Sequence, residues 1–262
     1  MSFGFGPISS TPISSLEDEI PPIPAPQITI PFGSPPVRSP GINYSHPDAR
    51  DLRIFLPFND AGSVNSALEL HAHAHASVNG PSRSVQTTGL AYTFDGDNDY
   101  LEITAAKVGQ ALDGRFLSIE TWINPTLSGY GWPRIVDRDS SGQFSFFLTE
   151  PTKQLGFAVN GTVDNEVSAA DSIEFGVWQH VVVSYDGASF AAYVNGQLSG
   201  TAKAHVLGTI NVSTDALRIG GRVDAGDDRY WEGSIGPVRI YNQALTPGQV
   251  RMLHEDFWGM AS

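Results

Sequence analysis

From Leu52 onward short apolar or alternating runs are separated by turns rich in Gly, Asn and Asp, the pattern of half-buried strands. Strands are predicted at Leu52–Phe58, Ala91–Phe94, Tyr100–Thr104, Phe116–Asn124, Arg134–Asp137 and Phe144–Thr149. Further strands follow at Leu155–Asn160, Trp178–Tyr185, Phe190–Asn195, Leu217–Gly220 and Gly233–Tyr241. Asn160-Gly161 and Asn195-Gly196 read as two-residue hairpin turns, because both central positions of such a turn need positive φ. One helix is predicted near the C-terminus. Thr246 is a good N-cap, Pro247 suits the first helical position, Gln249 can complete a capping box, and Val250 and Leu253 give an apolar face. Many short strands closed by a single helix predict an all-β sandwich of two antiparallel sheets.

Before Leu52 the pattern is different. Eleven of the 18 prolines fall in the first fifty residues, which also carry the echo Pro7-Ile8-Ser9-Ser10 and Pro12-Ile13-Ser14-Ser15. Proline at this density blocks helices and central strands and favours an extended chain. Residues 1–50 are therefore expected to form an extended Pro-rich arm, and residues 51–262 one globular domain. Flexible linkers are poor in large apolar residues, yet this arm holds Phe3, Phe5, Ile8, Ile13, Ile28, Ile30 and Phe32. These are the expected assembly contacts.

Composition narrows the function. The net charge of −13 repels phosphate backbones and anionic lipid, so neither nucleic acid nor membrane insertion is expected. With no cysteine, disulfides, thiolate nucleophiles and Cys-based zinc sites are excluded. The opening stretch MSFGFGPISSTPISS lacks the basic and apolar regions of a signal peptide, which points to synthesis in the cytoplasm.

The stretches LRIFLPFND, YTFDGDNDYLEI, SIETWINP, VWQHVVVSYDGASFAAYVNGQ, LRIGGR and WEGSIGPVRIYNQALTPGQV occur in this order over residues 52–254. Together they resemble the laminin-G-like, or concanavalin A-like lectin/glucanase, jelly-roll family. The resemblance implies two stacked antiparallel sheets and a fold used more for binding than for catalysis. The GFGPISSTPISS leader before such a domain also resembles virion proteins of tailed bacteriophages. That second resemblance implies a capsid decoration or fibre-like protein of the virion, assembled in the host cytoplasm. Its implied partners are other virion proteins, copies of itself (a homo-oligomer, with a trimer among the options) and host-surface glycans. The alternative is a secreted carbohydrate-binding module of the same fold.

Glucanases of this superfold use two carboxylates on one strand face, as acid and nucleophile. LSIETWINP offers only Glu120, and Glu102 stands alone on its strand, so both are expected to face solvent and no catalytic residue is assigned. His180, inside VWQHVVVSY, is expected to be a structural strand residue. Sugar stacking falls to Tyr130 and Trp132 in the SGYGWP loop, beside Asp137, Arg138 and Asp139; Trp231 is expected in the core.

No cofactor is required by any motif, and calcium is the ion left open. Asp95, Asp97, Asn98 and Asp99 form the densest oxygen cluster, which fits either part of a calcium site or a turn that satisfies its own backbone. In LELHAHAHASVNG a strand would align His71, His73 and His75 on one face, as a transition-metal site or as exposed neutral imidazoles. The acidic stretch Asp224-Ala225-Gly226-Asp227-Asp228 is a possible second contributor to a calcium site.

Overall fold

The computed structural model describes residues 1, 42, 45–46, 49–58, 66–67, 75–86, 89–129, 131–138, 142–161, 167–205, 208–223 and 229–256. In chain order these form β1 (Leu52–Leu56), β2 (Ser66–Ala67), β3 (Ala76–Asn79), β4 (Ser82–Gln86), β5 (Gly89–Asp95), β6 (Tyr100–Ile103) and α1 (Ala105–Val108). Then come β7 (Leu117–Pro125), β8 (Arg134–Arg138), β9 (Phe144–Thr149), β10 (Gln154–Val159), β11 (Gln179–Tyr185) and β12 (Ser189–Val194). The series ends with β13 (Gln197–Leu198), β14 (Lys203–Ala204), β15 (Leu217–Ile219), β16 (Glu232–Tyr241) and α2 (Pro247–Glu255). All eleven expected strands are present, each within two residues of its expected ends.

Two antiparallel sheets are formed. The first runs β13-β12-β11-β7-β16-β5-β4, with β1 also on β16 and β14 also on β12; the second runs β10-β9-β8-β15-β6-β3-β2. Side chains alternate across each strand, so Leu117, Ile119 and Ile123 of β7 and Val181, Val183 and Tyr185 of β11 enter the core between the sheets. Phe144, Phe146 and Leu148 of β9 and Leu217 and Ile219 of β15 meet them from the second sheet. The opposite face of the first sheet is covered too. There Leu52, Phe55, Val182, Tyr193 and Tyr241 pack with Leu245, Val250 and Leu253, the last two on α2.

The turns and caps follow their chemistry. Asn195 and Gly196 have φ of 50° and 76°, and Val194 pairs with Gln197 across them, as a two-residue hairpin requires; Asn160 and Gly161 have φ of 58° and 68°, but residues 162–166, which would return the chain, lie outside the described residues. The Thr246 hydroxyl accepts from the Gln249 amide while the Gln249 side chain accepts from the Thr246 amide, the expected capping box. Proline is hard to place in a central strand, and Pro237 lies in the shift of register between Ile235 and Val238 where β16 pairs with β7.

Some elements were not expected. β4 is a polar edge strand, SRSVQ, and β13 and β14 have two residues each, so neither offers a periodic apolar signal. The histidine segment reaches the described residues only at His75, whose carbonyl accepts from the Lys107 ammonium at 3.1 Å just before β3. His71 and His73, the arm residues Phe3, Phe5, Ile8, Ile13, Ile28, Ile30 and Phe32, and the 224–228 stretch lie outside the described residues. Ile42 is described, and it packs partly buried against the α2 side of the first sheet.

Candidate functional site

The loop from β7 to β8 holds an exposed aromatic on a braced backbone. Glu150, just after β9, is 4% exposed and points its carboxylate into the loop. It accepts from the Ser128 amide at 2.6 Å, the Ser128 hydroxyl at 2.8 Å, and the Gly129 and Gly131 amides at 3.0 and 3.2 Å. The Glu150 amide donates back to the Gly131 carbonyl at 3.0 Å. Gly129 and Gly131 have φ of 82° and 78°, and this left-handed backbone lets successive N–H groups converge on one anion.

Trp132 rides on this brace and is 47% exposed, with Leu127 also exposed nearby in sequence. Its carbonyl accepts from Arg134 at 3.0 Å, and the Arg229 guanidinium lies 5.4 Å from its ring centroid. Arg134 is buried, packs 4.8 Å over the Phe147 ring, and its Nε stands 3.2 Å from Asp137 Oδ1. Asp137 in turn accepts from the Ser145 hydroxyl at 2.7 Å and the Val223 amide at 2.9 Å. A chain of contacts therefore ties the tryptophan loop to the second sheet.

Trp132 is exposed, as expected. Asp137 and Arg138 are not, since both are fully buried and cannot line an exposed ligand site. Their neighbouring positions on β8 send them to opposite faces. Asp137 supports the loop from below, whereas Arg138 donates to the carbonyls of Gly109, Ser213 and Asp215 and to Gln143. Tyr130 and Asp139 lie outside the described residues. Glu150, Arg134 and Arg229 went unnoticed in the sequence, because nothing local links Glu150 to a glycine loop some twenty residues earlier. Trp231 is fully buried, as expected.

Asp95, Asp97, Asn98 and Asp99 do come together, in the turn from β5 to β6. Asp95 Oδ1 accepts from the amides of Asp97 and Asn98 at 2.9 and 3.4 Å, and Asp99 Oδ2 accepts from the Asp95 amide at 3.0 Å. Burial, and then the charges of Asp95 and Asp97, raise the Asp99 pKa, partly opposed by the Asp95 amide. Three of these contacts are the self-satisfied turn. Among the described residues no three His, Cys, Asp or Glu side chains are grouped to hold a metal.

Glu120 is a correction. It was expected at the solvent face, but its side chain is fully buried under the α2 side of the first sheet. Its carboxylate accepts from Arg239 at 3.1 and 3.2 Å, from Tyr241 at 3.3 Å, and lies 3.1 Å from His180 Nε2. Burial alone would raise its pKa, but Arg239 and then His180 hold it below the ordinary value. Glu102 is half-exposed and paired with Arg218 at 2.8 Å. His180 is buried in its strand, as expected.

A family model described as the concanavalin A-like lectin/glucanases superfamily matches residues 95–251. The chain is similar in structure to a mutant of Trypanosoma rangeli sialidase displaying trans-sialidase activity, with a TM-score of 0.58 and 20% identity. That match covers 79% of this chain and 33% of the sialidase, so the chain spans about a third of its length. It is also similar to domain 4 of an extracellular arabinanase from Geobacillus stearothermophilus, solved with arabinotriose. There the TM-score is 0.55 and the identity 18%, over 78% of this chain and 98% of that domain. No curated protein matches the chain.

Proposed function

We propose that this chain, which belongs to the concanavalin A-like lectin/glucanase superfamily, is a non-catalytic glycan-binding protein displayed on a virion by its N-terminal arm. The observation that carries the binding reading is Trp132, an exposed indole beside the Ser128, Gly129 and Gly131 amides that donate to the Glu150 carboxylate. An indole face is an apolar platform with a polar edge, suited to the C–H face of a sugar ring. Prior ordering of the loop lowers the cost of binding. The arabinanase domain, solved with arabinotriose, supports glycan as the ligand class.

The non-catalytic reading rests on the carboxylates. Glu120 is sealed under α2 by Arg239 and His180, and Glu102 is paired with Arg218, so neither forms the acid–nucleophile pair that glycoside hydrolysis needs. The virion reading rests on the arm, whose prolines reduce the entropy lost on docking and whose Ile and Phe side chains gain from burial. A secreted module of the same fold is the competing reading.

The test of the site is Trp132→Ala on a glycan array followed by calorimetry with the best glycan. The substitution is expected to weaken binding at least tenfold, about 1.4 kcal/mol, with stability within about 0.5 kcal/mol of the parent. Unchanged affinity would remove the tryptophan loop as the site. For the arm, the full chain is compared with residues 51–262 by co-sedimentation with candidate particles. Equal binding by both would favour the secreted module.

A further inference from the structure

Helix α2 is fastened firmly at its start and differently at its end. At the start, the capping box closes the first turn and the Ser118 hydroxyl accepts from the Leu245 amide at 3.0 Å while donating to the Gln243 carbonyl at 2.7 Å. At the end, the fastening is aromatic. His254 stacks on Trp122 with centroids 5.5 Å apart and planes at 25°, and it lies 5.5 Å from the His180 ring. Gly196 makes room, since a Cβ there would come within 3.1 Å of the His254 Cβ.

We propose that His254 makes α2 an acid-released clasp, in which proton uptake by the His254 imidazole undocks the last turn and uncovers the apolar outer face of the first sheet.

A charge on His254 has no buried counter-ion to meet it among the described residues. His180 is fully buried, its Nε2 is spent on Glu120, and its Nδ1 has no hydrogen-bond partner among the described residues. Glu120, the one buried anion nearby, is already held by Arg239 and Tyr241. Tyr193 of β12 shares this face, and burial raises its pKa, so it stays neutral and offers no compensation. On the helix itself Glu255 is the adjacent anion, and it is exposed. From the segment before β1, His46 lines a surface pocket with Met252, Glu255 and Asp256, and the Asp51–Arg53 pair is part-exposed. A proton added to His254 would thus sit beside a second imidazole, with only a screened carboxylate to balance it.

The sign follows from linkage. Burial first, then the charge of His180, lower the His254 pKa, with Glu255 opposing. In the released helix the imidazole is in water with an ordinary pKa of about 6.5. The released form therefore binds the proton more tightly. Docking is fully favoured above about pH 6.5 and weakens as pH falls through the lowered value of the docked form. What release uncovers is apolar: the face formed by Leu52, Phe55, Val182, Tyr193 and Leu245 loses the cover of Leu253.

Hydrogen exchange on the full chain tests this, with protection corrected for intrinsic rates at about pH 7.5 and about pH 5.5. Amides of residues 252–256 are expected to lose protection severalfold at the lower pH, while those of Val250, β7 and β11 keep theirs. His254→Phe keeps a ring on Trp122 but cannot titrate, so its α2 protection is expected to be the same at both values. His254→Gln gives the same pH-independence if the phenyl ring does not fit. Equal α2 protection at both pH values in the unaltered chain would overturn the clasp. So would a loss that persists in both variants.

Discussion

Glu150→Gln tests whether a single carboxylate braces the tryptophan loop. The carboxylate accepts four hydrogen bonds, three of them from backbone amides. An amide side chain can present only one oxygen, so its NH2 must face at least one backbone N–H, donor against donor. A hydrogen bond to a charged group is worth about 1.5–3 kcal/mol net. Gly129 is exposed and can turn to water, while the Ser128 hydroxyl can re-aim its proton. The loss is thus equivalent to one such bond, about 1.5–3 kcal/mol, or roughly 3–12 °C in Tm for a domain of this size. Urea unfolding followed by circular dichroism measures it, with an unchanged m-value showing that the denatured state is not altered. Glycan affinity is expected to fall with it, because the Trp132 platform loses its support. A variant within about 0.5 kcal/mol of the parent, still binding glycan equally well, would refute the brace.

Glu120→Gln should cost about 3–5 kcal/mol, since it leaves the Arg239 guanidinium buried beside a neutral amide. The variant also reports on pH: with a folded pKa held low, Glu120 adds stability above its ordinary value of about 4.3 and loses it as pH falls through the folded value. Acid titrations of stability should therefore converge for parent and variant at low pH, and parallel curves would contradict the ion pair. Chelation is expected to move the unfolding midpoint only slightly, because Asp95 and Asp99 already serve the backbone of their own turn. A loss of several kcal/mol on adding EDTA would show a structural ion.

The strands were legible because period-two alternation survives wherever one face meets the core. The hairpin at Asn195-Gly196 was legible because Asn-Gly is almost a geometric instruction. Glu120 was misplaced for a reason that alternation also explains. It lies on the face of β7 away from the inter-sheet core, which in a two-layer sandwich would be wet. Here α2 and Phe55 cover that face, and the sequence of β7 carries no sign of it. Asp137 and Arg138 were misread in a similar way, since charge suggested exposure while their partners at Val223, Gly109 and Ser213 lie far along the chain. Trp132 was readable because flanking Gly131 and Pro133 leave it little to pack against.

β16 is the last of the described strands, yet it is central to the first sheet. Its first half pairs with β5, its second half with β1, and both halves with β7. The earlier strands of that sheet therefore divide into separate groups with no direct ladder between them until residues 232–241 arrive. During synthesis, β7, β11 and β12 can zip locally as they emerge, while β1 waits for residues 238–241 to pair with it. The domain thus completes its first sheet late and all at once. A break in translation shortly before residue 232 would leave apolar strands without the one segment that joins them.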